Sequence, residues 1–220
     1  MKTIVLSIII ISAQLFCFAQ DKLPFDTIKL LITDKNKGIP VMQALNQRKT
    51  TRDLSDKKLC LLQLSDVLWS ANGINREDGK RTAPAAMNKQ FVDIYVVAQE
   101  GVYLYDAIKN RLIPIIAGDF RKETGSQDFV SIAAVNLVFV ADLEKLKNMP
   151  PQAAGLSRED KLKWAYIGIG CEAENVNIYC ASEGLGAVVR GSVDAQKIGN
   201  LIKIRPEQVV LMAQTVGVIK

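Results

Sequence analysis

The spacing of apolar residues changes period several times along the chain, and each change marks an element. Pro40 precedes Val41, Ala44 and Leu45 at helical spacing, which predicts a short helix to about Gln47. A polar turn follows at residues 48–52. Ser55 then predicts a cap for a helix over about 56–70, with Leu59, Leu62 and Leu68 inward and Ala71-Asn72-Gly73 closing it. Residues 74–83 read as a charged loop leading into a short helix around 85–90. Phe91 to Ala98 alternates and turns at Gln99-Glu100-Gly101 into Val102–Tyr105, the pattern of a hairpin. Residues 118–127 read as helix and loop. Val135 to Val140 is an unbroken apolar run, as in a central strand.

Ser157 and Asp160 form a capping box for a long helix over about 158–182, with Trp164, Ile167, Cys171 and Ile178 as its predicted inward face. Gly168, Gly170, Ala173 and Ala181 are small, as where another helix packs closely. Gly184 stops that helix. Leu185–Val189 reads as a strand, Asp194 as the cap of a helix over about 195–203, and Gln208–Ile219 as a last strand. Helices, a hairpin and dispersed strands predict one α+β domain of three layers.

The first nineteen residues do not fit that domain. Lys2 precedes an apolar stretch from Ile4 to Phe18, and Cys17-Phe18-Ala19 offers small residues where a signal peptidase cuts. The stretch is shorter than the ~20 residues of a spanning helix, so it reads as an export signal, residues 1–19, with the mature chain starting at Gln20. A lipid anchor at Cys17 fits poorly behind the bulky Phe16. Residues 20–39 read as an exposed lead-in and 40–220 as the domain. No later segment is apolar and long enough to span a bilayer. The expected location is periplasmic or extracellular.

Composition then narrows the chemistry. Loss of residues 1–19 removes one charge, that of Lys2, and lowers the formal net charge from +5 to +4. Aromatics make up 6% and no basic run occurs, which argues against nucleic acid and suits a small anionic ligand. Cys60, Cys171 and Cys180 form no paired framework and read as buried small apolar residues, with a single bridge as the alternative. The chain has no histidine. That excludes histidine-dependent nucleophilic triads, His-ligated metal sites and imidazole acid–base work, and no metal site is expected. An enzyme of this composition borrows its reactivity from a cofactor.

Three segments offer binding chemistry. Arg48-x-Thr50-x-Arg52 can fork around a phosphate, because planar guanidinium donors meet phosphate oxygens in pairs; a solvated turn between helices is the plain alternative. Thr82-Ala83-Pro84-Ala85-Ala86-Met87-Asn88-Lys89-Gln90 has small residues that would let a flat ring lie against the backbone. Asn88 there offers both a donor and an acceptor. Glu183-Gly184-Leu185-Gly186 contains G-x-G, but it ends a helix and opens a strand, the reverse of a dinucleotide loop. Beyond it, Gly191-Ser192 can present backbone N–H groups.

Taken together, the R-x-S/T-x-R turn, a P-S-x-x-N-x-Q-like segment and a long helix ending in G-L-G before a strand resemble the FMN-dependent nitroreductase family, over about 40–219. The run from Phe91 to Val97 with its hairpin is similar to the azoline-oxidising dehydrogenase branch. The resemblance implies a three-layer α-β-α fold with a mainly antiparallel central sheet, and a homodimer with two FMN sites at its interface. It implies that Arg48, Thr50 and Arg52 hold the phosphate and ribityl chain, with Lys49 beside the ring. Pro84, Ala85, Ala86 and Asn88 would approach the flavin from the partner copy, and Arg190, Gly191 and Ser192 would face its reactive nitrogen. Two departures stand out: Ala85 replaces the motif serine, and Lys220 is the single basic residue available where many members carry a basic terminal segment. The implied activity is hydride or electron transfer through FMN to a small organic substrate, with no catalytic side chain and with NAD(P)H as a candidate reductant. An exported flavin-binding module with little turnover is the alternative.

Overall fold

The computed structural model describes residues 23–147 and 155–220. The export signal predicted over 1–19 lies outside the described residues. The element order is β1 (Ile28–Lys29), α1 (Val41–Gln47), α2 (Leu61–Asn72), β2 (Val92–Ala98), β3 (Gly101–Asp106), β4 (Arg111–Ala117), α3 (Asp128–Ile132), β5 (Val135–Asp142), α4 (Arg158–Ser182), β6 (Leu185–Arg190), α5 (Ala195–Ile202) and β7 (Gln208–Val218). The seven strands form one sheet in the order β1-β4-β3-β2-β5-β7-β6, and every pair is antiparallel.

Alternation along the strands builds a core on each face of that sheet. Ile94 and Val96 join Leu137 and Phe139 under Leu64, Val67 and Leu68 of α2 and Ala165, Ile169 and Val176 of α4. Tyr95 and Val97, one residue out of phase, join Val138, Val140 and Val210 against Ile198 and Ile202 of α5. The period of two thus assigns each strand residue to one layer or the other, and three layers result. All eight residues of β5 are buried, which explains why it reads as a continuous apolar run.

Local signals set the helix ends. Ser157 Oγ accepts from the Asp160 N–H at 3.1 Å, and Gly184, at φ +68°, ends the run after Glu183. Asp194 accepts from the Lys197 N–H at 2.9 Å at the start of α5. For α2 the predicted cap was Ser55, and the structure corrects this. Cys60 caps α2, with its Sγ accepting from the Gln63 N–H while Gln63 Oε1 accepts from the Cys60 N–H. Ser55 instead bonds the Val218 carbonyl through both its N–H and its hydroxyl.

The inward face of α4 also differs from the prediction. It consists of Ala165, Ile169, Glu172, Ala173, Val176 and Cys180, whereas Ile167 is 67% exposed. The helix carries apolar residues on two sides, so periodicity alone favours neither. The lead-in is not wholly exposed: Ile28 and Leu30 are buried, and β1 pairs with β4. The strand β4 escapes the sequence reading because of Pro114, yet β1 covers only Arg111 and Leu112 on its outer side, so the missing N–H costs no ladder bond there. The expected helix around 85–90 is a single tight turn, Ala86–Asn88, with Met87 at φ 52° and Asn88 at φ 55°.

Candidate functional site

The polar turn after α1 is tied to the sheet from two sides. Thr51 N–H donates to the Ala187 carbonyl at 3.2 Å, and Thr50 forms a parallel bridge to Ala187 of β6. Gly186 permits this approach, since a Cβ there would sit 2.5 Å from Leu54 Cδ2 and 3.1 Å from Thr51 Cγ2. At the far side, Lys220 N–H donates to the Asp53 carbonyl at 3.2 Å. The turn is therefore a backbone-anchored rim whose side chains remain outward. Lys49, Thr50 and Arg52 are exposed, and Arg48 makes one loose ion pair, Nε to Glu174 Oε1 at 3.8 Å.

Two concavities flank this rim. One, of about 430 Å³, is lined by Arg52, Leu54, Ser126, Gln127, Phe129 and Lys220 among others. Arg52 and Lys220 thus meet although 168 positions separate them in sequence, because β7 returns the chain terminus beside the turn. Lys220 Nζ is 3.2 Å from Asp53 Oδ1 in an exposed pair of the kind that contributes little to stability. The other concavity, of about 440 Å³, is bounded by Lys49 and Thr51, by Asn177 and Cys180 of α4, and by Gly184 and Ala187. Cations on a rigid rim, with their donors largely uncommitted, can clamp an oxyanion.

The segment 84–88 lies elsewhere in the chain. The Pro84 carbonyl is beside Gly168 of α4, where an added Cβ would come within 3.9 Å of it. Gly168 to Ser182, at the end of α4, is ~21 Å of helix at 1.5 Å per residue, so one chain does not join this segment to the 48–52 rim. Ala85 and Ala86 are half-buried, and Pro84 and Asn88 are exposed. Asn88 Oδ1 accepts from Gln90 Nε2 at 3.0 Å. Two successive left-handed residues, one of them Met87, form a strained backbone of the kind that surrounding structure must hold in place.

Arg190 departs most from expectation. Its side chain is buried at 5% exposure and turned into the protein. Nε donates to Thr215 Oγ1 at 3.0 Å, Nη1 to the Thr124 carbonyl at 2.5 Å, and Nη2 to Asn136 Oδ1 at 3.1 Å and Thr124 Oγ1 at 3.3 Å. Burial lowers its pKa to about 10, so it remains charged at neutral pH. A guanidinium with its donors spent on β5, β7 and the 121–125 turn is a tie between elements, and it does not face a ligand. Gly191 and Ser192 are exposed, and Ser192 edges a further cavity of about 640 Å³. Ser126, Gln127 and Asp128 wall both this cavity and the Arg52–Lys220 concavity. These three were not anticipated; the turn-forming run Gly125-Ser126-Gln127 was the available signal.

Among the described residues no group of three or more histidine, cysteine, aspartate or glutamate side chains could hold a metal ion. No helix among them is long and apolar enough to cross a membrane. Cys171 and Cys180 are free thiols, and burial pushes the Cys180 thiol up and keeps it protonated.

The sequence model of the Nitroreductase family matches residues 45–218. A Methanocaldococcus jannaschii protein provisionally named a nitroreductase is 26% identical over 197 residues, spanning 85% of this chain and 96% of the relative. A Ralstonia eutropha crystal structure, also provisionally named a nitroreductase, is 37% identical with a TM-score of 0.79, covering 88% of this chain and 90% of that one. The NADPH:FMN oxidoreductase of Vibrio harveyi, solved with NAD+, shares the fold at a TM-score of 0.60 and 19% identity, over 82% of this chain and 69% of its own.

Proposed function

Because the chain belongs to the nitroreductase family, a family of oxidoreductases, we propose that it binds FMN and moves hydride or electrons between a reductant and a small organic substrate. The observation that carries this reading is the convergence of Arg52 and Lys220 on one concavity beside the anchored 48–52 turn. Arg48, Thr50, Arg52 and Lys220 would hold the phosphate and polyol, and Lys49 would lie beside the ring. The donor set fits a phosphate: the rim cations carry only loose or exposed carboxylate pairs. When bound, FMN supplies the hydride-accepting ring; the chain supplies orientation, positive charge and shielding from water. NAD(P)H is the candidate reductant, supported by the ligands named for the Vibrio relative.

A second copy completes the site in this reading. Pro84, Ala85, Ala86 and Asn88 are too far along α4 from their own 48–52 rim, so they would serve the partner's flavin. Val41, Met42 and Leu45 of α1 and Tyr166 and Ile167 of α4 are exposed apolar residues available for such a contact. The expected dimer buries on the order of 2,000 Å² or more, and light scattering showing a folded monomer at low concentration would count against it.

Export remains part of the proposal, on the strength of Lys2 and the apolar stretch from Ile4 to Phe18. Intact mass of protein from its native host should start near Gln20; a retained Met1 contradicts it. The flavin reading itself is tested by the visible spectrum of the purified protein and by turnover of a reduced dye. Bound flavin without turnover would favour the binding-module alternative.

A further inference from the structure

A fork in the sheet carries polar groups that the flavin reading leaves unused. Strands β2 and β3 pair from Val97↔Val102 to Tyr95↔Leu104 and then part. Beyond that point β2 still pairs with β5 out to Val92↔Ala141, and β3 with β4 out to Asp106↔Arg111. Both strands are therefore held by their outer neighbours while a gap opens between them. A cavity of about 200 Å³ occupies the gap, lined by Asn72, Arg81, Asp93, Tyr105, Asp106 and Lys145 among others.

The charges around it divide into spent and unspent. Asp93 accepts from Lys145 and from Gln208, and Asp106 from Arg111 Nε at 2.9 Å and from the Lys109 N–H at 3.1 Å. Arg81 is different. Its Nη1 reaches the Asn72 carbonyl at 3.4 Å, and among the described residues its buried Nε–H has no acceptor and no carboxylate lies within ion-pair distance. Among the described residues, Asn72, 3% exposed, has an Oδ1 without a partner, and Glu172, 4% exposed, has an Oε2 without one. Burial pushes the Glu172 carboxyl well above the usual carboxylate range, against the pull of the Arg81 guanidinium, and the two are not in ion-pair contact. One free cationic donor and one free acceptor, both buried at the same cavity, are costly unless something pairs with both.

We propose that the β2–β3 fork is a binding site for a small carboxylate bearing an adjacent hydroxyl, whose carboxylate accepts from Arg81 Nε–H and whose hydroxyl donates to Asn72 Oδ1. The cavity admits a ligand of a few heavy atoms, and the single unspent positive charge selects a monoanion. The inference stands apart from the flavin reading, since none of these residues belongs to the 48–52 rim.

Calorimetric titration of the full-length protein, as purified, with glycolate, acetate and inorganic phosphate tests it. Glycolate should bind one per chain, about tenfold more tightly than acetate, since acetate leaves Asn72 Oδ1 unpaired. Asn72→Ala should abolish that preference while retaining acetate binding, and Arg81→Gln should abolish both. If Arg81→Gln does not fold, Asn72→Ala and Arg81→Lys carry the test; the lysine variant should bind glycolate more weakly than the parent. Absence of saturable heat with glycolate up to on the order of 10 mM overturns the proposal, and so does a crystal grown in glycolate that shows only water in the fork. Phosphate binding as tight as glycolate, with no response to Asn72→Ala, overturns it as well.

Discussion

Arg190 and Arg52 meet the same stretch of chain, Arg190 at Thr124 and Gly125 and Arg52 at Ser126 to Asp128, yet they occupy opposite regimes of arginine chemistry. Arg190 is buried, and its nitrogens are satisfied by Thr124, Asn136 and Thr215. Arg52 is exposed on a rim whose backbone, not its side chains, makes the anchoring bonds. Both stand in segments that resemble flavin-binding motifs. The difference shows that an arginine's availability to a ligand is decided by where its donors already go, and that motif position alone does not decide it.

The largest expected effect falls on the buried side of this contrast. Arg190→Ala would remove the donor to the buried Thr124 carbonyl and one partner each from Asn136 and Thr215, which keep only their bond to each other and that of Asn136 to the Val130 carbonyl; losing these charge-assisted bonds should cost about 3–5 kcal/mol. Denaturant unfolding should register the loss, and Arg190→Lys should recover only part of it because one ammonium cannot reach partners on three elements. A fully stable Arg190→Ala protein with impaired flavin binding would invert the assignment.

On the exposed side, Arg48→Ala and Arg52→Ala should each leave stability within ~0.5 kcal/mol. Each should weaken FMN binding about tenfold to a hundredfold, with lysine rescuing only in part. Equilibrium unfolding paired with flavin fluorescence separates the two effects.

Glu172 sharpens the comparison further, as a buried acid that makes no ion pair among the described residues. Its pKa is raised above the ordinary 4.5 mainly by burial. The folded state therefore holds a proton that the unfolded state releases. Stability from this group is full below about pH 4.5 and falls as pH rises toward the folded value. Glu172→Gln should flatten that decline, so its melting temperature relative to the parent should be higher at pH 8 than at pH 4. An unchanged difference across that range would show that Glu172 does not titrate with folding. The smallest effect is expected from Lys220→Ala: its exposed pair with Asp53 should contribute under ~0.5 kcal/mol to stability, and FMN affinity should fall by only a few-fold.

Much of the architecture is legible in the sequence where local chemistry is unambiguous. Ser157 with Asp160, Gly184, Asp194 and the apolar run of β5 each specify one outcome, and the structure has it. Other features depend on distant parts of the chain. Cys60 caps α2 because Gln63 reciprocates, while Ser55 is drawn to β7. The inward face of α4 is set by which side meets the sheet, and both sides carry apolar residues. In the candidate site, the 48–52 turn is marked by its paired arginines, but its meeting with Lys220 requires the pairing of β7 to be known. Arg190 could not be assigned from its neighbours in sequence, since its partners at positions 124, 136 and 215 converge only in the folded sheet.

The 48–52 rim is assigned to hold a phosphate. Titration of apoprotein with FMN and with riboflavin, for the parent and for the Arg48→Ala/Arg52→Ala double variant, addresses that most directly. The parent should bind FMN much more tightly than riboflavin, and the double variant should lose that preference while its riboflavin affinity hardly moves. A double variant that retains parental FMN affinity would show the turn to be a solvated loop and would contradict the placement of the cofactor.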